Sequence, residues 1–296
     1  MIGRAACRGG DVVTINEPHV RCCENRGFVF RKSIVLHFIL LFLLPAVSSR
    51  ANDIVVLKSA NIKPYEDALK GFESSCGCNV QEVNPGRFGA GTVERGRFNG
   101  DMVLAQIGKN VSGVSMDIPP AIILGTIQEV FPGATRVGVI YDPRHYDSFI
   151  TEALYAAQQR GIRLVLKAAG KPSEVPSLID EMRGNIDVFW MLPDVTVVTP
   201  ETVKYLLLFS FRNKVPVFSF SGKYVEMGAL AALNIVPFDI GVQAGELAMK
   251  LSSGRNNGTP IRVEARKTEL SVNQTVARKL GIRMIDDVLR RADHVY

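Results

Sequence analysis

Between Asp187 and Asp194 lie six consecutive apolar residues, Val188–Pro193, in the stretch IDVFWMLPD. A β-strand points alternate side chains to opposite faces, so a run with no polar member is stable as a strand only where the sheet is covered on both sides. That is the arrangement of a parallel α/β sheet. In such a sheet the ligand crevice lies beyond the carboxyl ends of the strands, which puts Asp194 where a bound molecule would be met. Taken alone, an aspartate there serves equally well to open a turn or to cap the next segment.

The residues around the run extend the pattern. Strands are expected at Val137–Tyr141, Arg163–Leu166 and Val215–Phe220, and helices at Phe149–Arg160, Val175–Arg183 and Pro200–Arg212, with Gly161 and Gly184 as stops. Pro119 and Pro120 sit where a helix through Val130 begins, and Asp239 is read as the N-cap of a helix reaching Leu251. Nearer the start, Ile54–Leu57 and Asn79–Val83 read as strands flanking a helix over Tyr65–Ser74. Met102–Ile107 is a further candidate strand, and Asn110–Met116 an extended piece. Short apolar runs alternating with helices predict parallel sheets covered on both faces. With 296 residues and 47% hydrophobic composition, the chain is long enough for two lobes.

Residues 29–51 read differently. Arg31 and Lys32 precede the apolar run Ile34–Val47, followed by the small residues Ser48, Ser49 and Ala51, which is the layout of a cleavable export signal. The run is too short to span a bilayer; left uncleaved, it would serve as an anchor. Residues 1–28 are polar and irregular and are read as a non-native or disordered extension, with translation expected to begin at Val29. The formal charge of +6 is concentrated in the first 51 residues, which hold seven basic and three acidic side chains. The remainder is nearly balanced and carries no basic stripe for nucleic acid; Arg262–Lys267, mildly basic, is read as a solvated strand edge. In an exported chain Cys76 and Cys78 are able to pair.

Reactive motifs do not emerge. Gly89 and Gly91 begin a G-x-G-x-x-G pattern, but Glu94 stands where its third glycine belongs, and neither a nucleophile elbow nor a metal-binding His or Cys spacing occurs. No enzymatic activity, cofactor or metal is therefore expected. What recurs is a set of polar residues just past strand ends: Lys58 and Ser59, then Asp142, Tyr146 and Ser148, then Asp194 and Thr196, then Ser219 and Ser221. Together they form the expected ligand-binding set, since hydroxyls, carboxylates and helix N-termini in one crevice hold small polar molecules without reacting on them. Singly, each is better explained as a helix cap than as a ligand contact, and it is the set that points to a crevice.

GKNVSGVSMDIPP (108–120), FPGATRVGVIYDP (131–143), IDVFWMLPDVTVVTPETV (186–203), VPVFSFS (215–221) and GALAALNIVPFDIGVQAGELAMKL (228–251) together resemble the ABC transporter substrate-binding proteins, in the group whose relatives bind aromatic amino acids. The resemblance implies a type I periplasmic-binding fold, with two Rossmann-like lobes closing on a ligand by hinge motion. It assigns residues 52–116 and 236–268 to lobe I and residues 117–235 and 269–296 to lobe II. Crossings are expected near Ser115–Ile118, Leu233–Pro237 and Glu269–Val272. It further implies a periplasmic protein that delivers a small polar ligand, such as an amino acid, to an ABC permease in the inner membrane. Asp194 would meet the ammonium group, Tyr146 and Phe220 would stack on an aromatic side chain, and Trp190 would belong to the core. Family members carry two more strand-helix units in lobe I, where this chain has only Asn84–Asn99. That lobe is therefore expected to be incomplete, and binding weaker for it. The alternative is a sensing or interaction domain of the same fold, not coupled to transport.

Overall fold

The computed structural model describes residues 12–15, 19–23, 53–57, 63–77, 79–83, 111–252 and 261–296. In chain order the elements are β1 (Val12–Ile15), β2 (His19–Cys23), β3 (Asp53–Leu57), α1 (Lys63–Cys76), β4 (Asn79–Val83), β5 (Val111–Val114), α2 (Pro120–Val130), β6 (Arg136–Tyr141), α3 (Pro143–Gln159), β7 (Arg163–Ala168), α4 (Val175–Glu181), β8 (Val188–Trp190) and α5 (Pro200–Asn213). They continue as β9 (Val217–Ser219), α6 (Gly222–Met227), β10 (Ala231–Ile235), α7 (Pro237–Ser252), β11 (Arg262–Val263), β12 (Thr268–Val272), α8 (Gln274–Leu280), α9 (Asp286–Arg291) and β13 (His294–Val295).

Lobe II is built on the sheet β13-β12-β10-β9-β8-β6-β7. From β7 to β10 every pairing is parallel, and β12 runs antiparallel to β10, with Ala231 opposite Val272 and Ile235 opposite Thr268. The apolar run sits at its centre as β8. Its side chains divide by parity: Val188, Trp190 and Leu192 join one core with Leu124, Ile150, Phe218 and Leu233, while Phe189 and Met191 join another with Ile179, Leu206 and Val217. Helices α2, α3, α8 and α9 supply the first face and α4 and α5 the second. Both faces are thus buried, which is why no polar residue interrupts β8.

Lobe I carries the sheet β11-β5-β1-β2-β3-β4, parallel at β3–β4 and β1–β5 but antiparallel at β1–β2 and β2–β3. Two of these strands come from residues 12–23, read from sequence as an irregular extension. Helices α1 and α7 pack on each other around Phe72, Ile240 and Ala244. They approach backbone to backbone: a Cβ built on Gly71 would lie 1.9 Å from the carbonyl oxygen of Phe238, and one on Gly241 1.8 Å from that of Ala68. Residues 84–110, where the shortened interval lies, and the signal-like run both fall outside the described residues. Cys76 is buried at the end of α1 and takes part in a disulfide.

The chain passes between the two sheets at 115–119, at 236 and at 264–267, linking β5 to α2, β10 to α7 and β11 to β12. The third passage comes earlier than the 269–272 expected, because 268–272 is fully engaged in the ladder with β10. Two helices also start before their expected ends. Helix α3 begins at Pro143 with Asp142 as N-cap, its fixed φ suiting the first turn, and α7 begins at Pro237, leaving Asp239 inside the first turn.

Candidate functional site

The sheet order β7-β6-β8 reverses direction between β6 and β8, and Asp142 and Asp194 follow those two strands. Both are fully buried. Their polar groups are directed at each other's loops. The Asp142 N–H donates to Asp194 Oδ2 at 2.6 Å, and Asp194 Oδ1 accepts from the N–H groups of Thr196 at 2.8 Å and Val197 at 3.4 Å. Thr196 returns the contact, its Oγ1 donating to Asp142 Oδ2 at 2.8 Å. The Asp142 carboxylate also caps α3 through the Arg144 N–H and takes the Arg144 guanidinium as an ion pair. Hydrogen bonding to Arg144 holds this carboxyl well below the usual carboxylate range, with Thr196 assisting, although burial opposes the charge. The trio Asp142, Asp194 and Thr196 therefore laces two loops together.

A cavity of about 260 Å³ opens beside this brace, over the carboxyl ends of β8, β9 and β10 on the first of the two buried faces. Trp190, Leu192, Phe218 and Leu233 form its floor, Tyr146 and Phe149 of α3 one wall, and Met116–Ile118 of the first crossing the rim. Parity explains the floor: side chains of one face share one direction, so the residues that build that core also reach the hollow above it. The rings interlock, with Phe149 5.9 Å from Tyr146 edge-on and 5.9 Å from Trp190 at a tilt. Ser219 and Asp117 bring a hydroxyl and a carboxylate to a mostly apolar lining.

Of the residues singled out from sequence, Tyr146 and Ser219 line this cavity, as does the stacking candidate Phe220. Ser148 is exposed on α3, and Ser221 caps α6 through the Lys223 N–H at 3.4 Å. Neither lies on the cavity wall. Lys58 and Ser59 lie outside the described residues. Trp190 is both core, at 2% exposure, and cavity floor. Phe149, Phe218 and Asp117 were not anticipated. Phe149 reads as an ordinary inward helix residue, and Asp117 falls within the crossing expected near Ser115–Ile118 but was not singled out as a ligand contact. The basic stretch near 262 is the edge strand β11, with Arg262 3.7 Å from Asp117 and Arg266 paired to Asp239 and Glu246. Among the described residues no group of three or more His, Cys, Asp or Glu could hold a metal ion, and no helix is long and apolar enough to cross a membrane.

Residues 102–296 match the family model described as ABC transporter substrate binding protein. A curated relative, the tyrosine-binding protein of Clostridioides difficile (strain R20291), is 28% identical over 184 residues, 62% of this chain and 53% of the relative, so the chain spans about half the length of that protein. A conserved domain protein from Vibrio cholerae is similar in structure at a TM-score of 0.55, with 31% identity and 65% of each chain covered. An ABC domain in complex with L-Trp from Streptococcus pneumonia matches at a TM-score of 0.58 over 82% of this chain and 99% of its own. Its 18% identity makes that a likeness of fold.

Proposed function

Because the chain belongs to the family of ABC transporter substrate-binding proteins, we propose that it is exported, closes its two lobes on a small ligand bearing an aromatic or bulky apolar side chain, and presents that ligand to an ABC permease. The cavity over β8–β10 carries this reading. Its volume of about 260 Å³ lies just under the lower end of about 300 Å³ for small-molecule sites, which favours a ligand of amino-acid size. Rings that meet edge-on, such as Phe149 with Tyr146, offer faces on which another ring stacks. The passages at 115–119, 236 and 264–267 are where a hinge would bend, and Met116–Ile118 belongs at once to a passage and to the cavity rim. Closure about that rim would bury the ligand. A relative named for binding tyrosine agrees with this choice of ligand. No step here makes or breaks a covalent bond, and the protein acts by binding alone.

Calorimetric titration and melting shift of the purified protein with the full set of amino acids test the proposal. Saturable binding of phenylalanine, tyrosine or tryptophan, with glycine inert, is expected. Silence across the whole set would contradict it.

A further inference from the structure

An apolar wall by itself makes a weak receptor. Burying roughly 150 Å² of an aromatic side chain supports a Kd of about 1 mM at best. Tighter binding needs a polar anchor at one end of the hollow, and a buried ammonium without a partner would instead weaken binding. The two aspartates past β6 and β8 do not meet this need, because their carboxylates bind loop N–H groups and side chains away from the cavity wall. Among the described lining residues the carboxylate belongs to Asp117, on the first passage between the sheets. Its side chain is 22% exposed, and Arg262 Nη2 lies 3.7 Å from its Oδ2. That same Nη2 donates to Ser115 Oγ at 3.2 Å, and Ser115 Oγ accepts the Asp117 N–H at 3.2 Å, so the Arg262 guanidinium, itself off the cavity wall, stands beside the rim carboxylate.

From this arrangement, and resting on the cavity as the ligand site, we infer that Asp117 anchors the ligand's ammonium group while Arg262 meets its carboxylate. The ligand is then a zwitterionic α-amino acid whose side chain enters the aromatic hollow. A carboxylate at the mouth with a guanidinium beside it suits a zwitterion and disfavours molecules carrying either charge alone. Because Asp117 lies on a passage and Arg262 on the edge strand of lobe I, engagement of both charges also draws the two lobes toward the ligand.

The test is calorimetry on the full chain with L-phenylalanine, 3-phenylpropionate, which lacks the ammonium, and phenethylamine, which lacks the carboxylate. Each analogue is expected to bind at least about tenfold more weakly than the amino acid, the loss of one charge-assisted hydrogen bond. Asp117→Asn is expected to erase the preference over 3-phenylpropionate, and Arg262→Gln the preference over phenethylamine. Equal binding of L-phenylalanine and 3-phenylpropionate by the unmodified protein would overturn the inference and leave the cavity as the site. So would an Asp117→Asn variant that keeps the preference. Failure of all three probes to bind the unmodified protein would overturn the cavity reading and the inference with it. If Asp117→Asn does not fold, the analogue series on the unmodified protein decides.

Discussion

The Asp142 N–H donates to Asp194 Oδ2 at 2.6 Å, joining the loops after β6 and β8 across the point where the strand order reverses. Asp194→Ala would leave the N–H groups of Asp142, Thr196 and Val197 without this acceptor in a buried setting, at a cost of about 2–4 kcal/mol in urea unfolding. Asp194→Asn keeps one oxygen and is expected to lose less. Since this carboxylate does not line the cavity, the folded Asn variant is expected to bind ligand about as tightly as before.

Stability is expected to fall in acid between about pH 4 and pH 2. Burial raises the Asp187 pKa, but hydrogen bonds from the Arg136 guanidinium and from the N–H groups of Thr135 and Arg136 outweigh it and hold the carboxyl at about 2. A carboxyl whose folded pKa is depressed adds stability above its unfolded pKa and loses it as pH drops through the folded one. Arg136 is 40% exposed, so solvent screening reduces the effect to roughly 1 kcal/mol. Chemical unfolding across this pH range should show that loss, and Arg136→Ala should flatten it. An acid limb that is the same in both proteins would assign the loss elsewhere.

Gly241→Ala puts a methyl group where the Ala68 carbonyl oxygen already stands, 1.8 Å from the built Cβ. Helices α1 and α7 would have to separate, so a loss of at least about 2 kcal/mol is expected by denaturant melt. Gly133, whose added Cβ meets nothing within 4 Å, provides the control: Gly133→Ala should change stability by less than about 0.5 kcal/mol.

Phe149→Ala removes the ring that touches both Tyr146 and Trp190. Affinity for an aromatic amino acid is expected to drop by at least about tenfold, from lost stacking and apolar contact. A partly buried side chain near a hollow costs the fold less than a central one, and the variant should remain folded by circular dichroism.

The lobe II sheet was legible in the sequence because its strands are buried on both faces, and the apolar runs that result, with glycine stops at 161 and 184, leave little ambiguity. Less legible was the direction in which a side chain points. Asp142 and Asp194 could be placed at strand ends from sequence, but a carboxylate there has backbone donors on one side and a hollow on the other, and only coordinates tell which it takes. Trp190 and Phe149 were hidden for the converse reason, since residues that line an apolar cavity obey the same periodicity as residues that fill a core. In lobe I the parity rule gives less help. Its strands are short, and two of them, VVTI at 12–15 and HVRCC at 19–23, carry only a few apolar residues each.

Trp190 is the sole tryptophan of the 296-residue sequence and forms part of the cavity floor. Its emission, excited selectively, therefore reports on the proposed ligand position and nowhere else. Titration of the protein with L-phenylalanine and L-tyrosine should change that emission in a saturable way, with a midpoint matching the calorimetric Kd, while glycine leaves it unchanged. Emission that stays flat through millimolar concentrations of both aromatic amino acids would contradict a ligand site above β8.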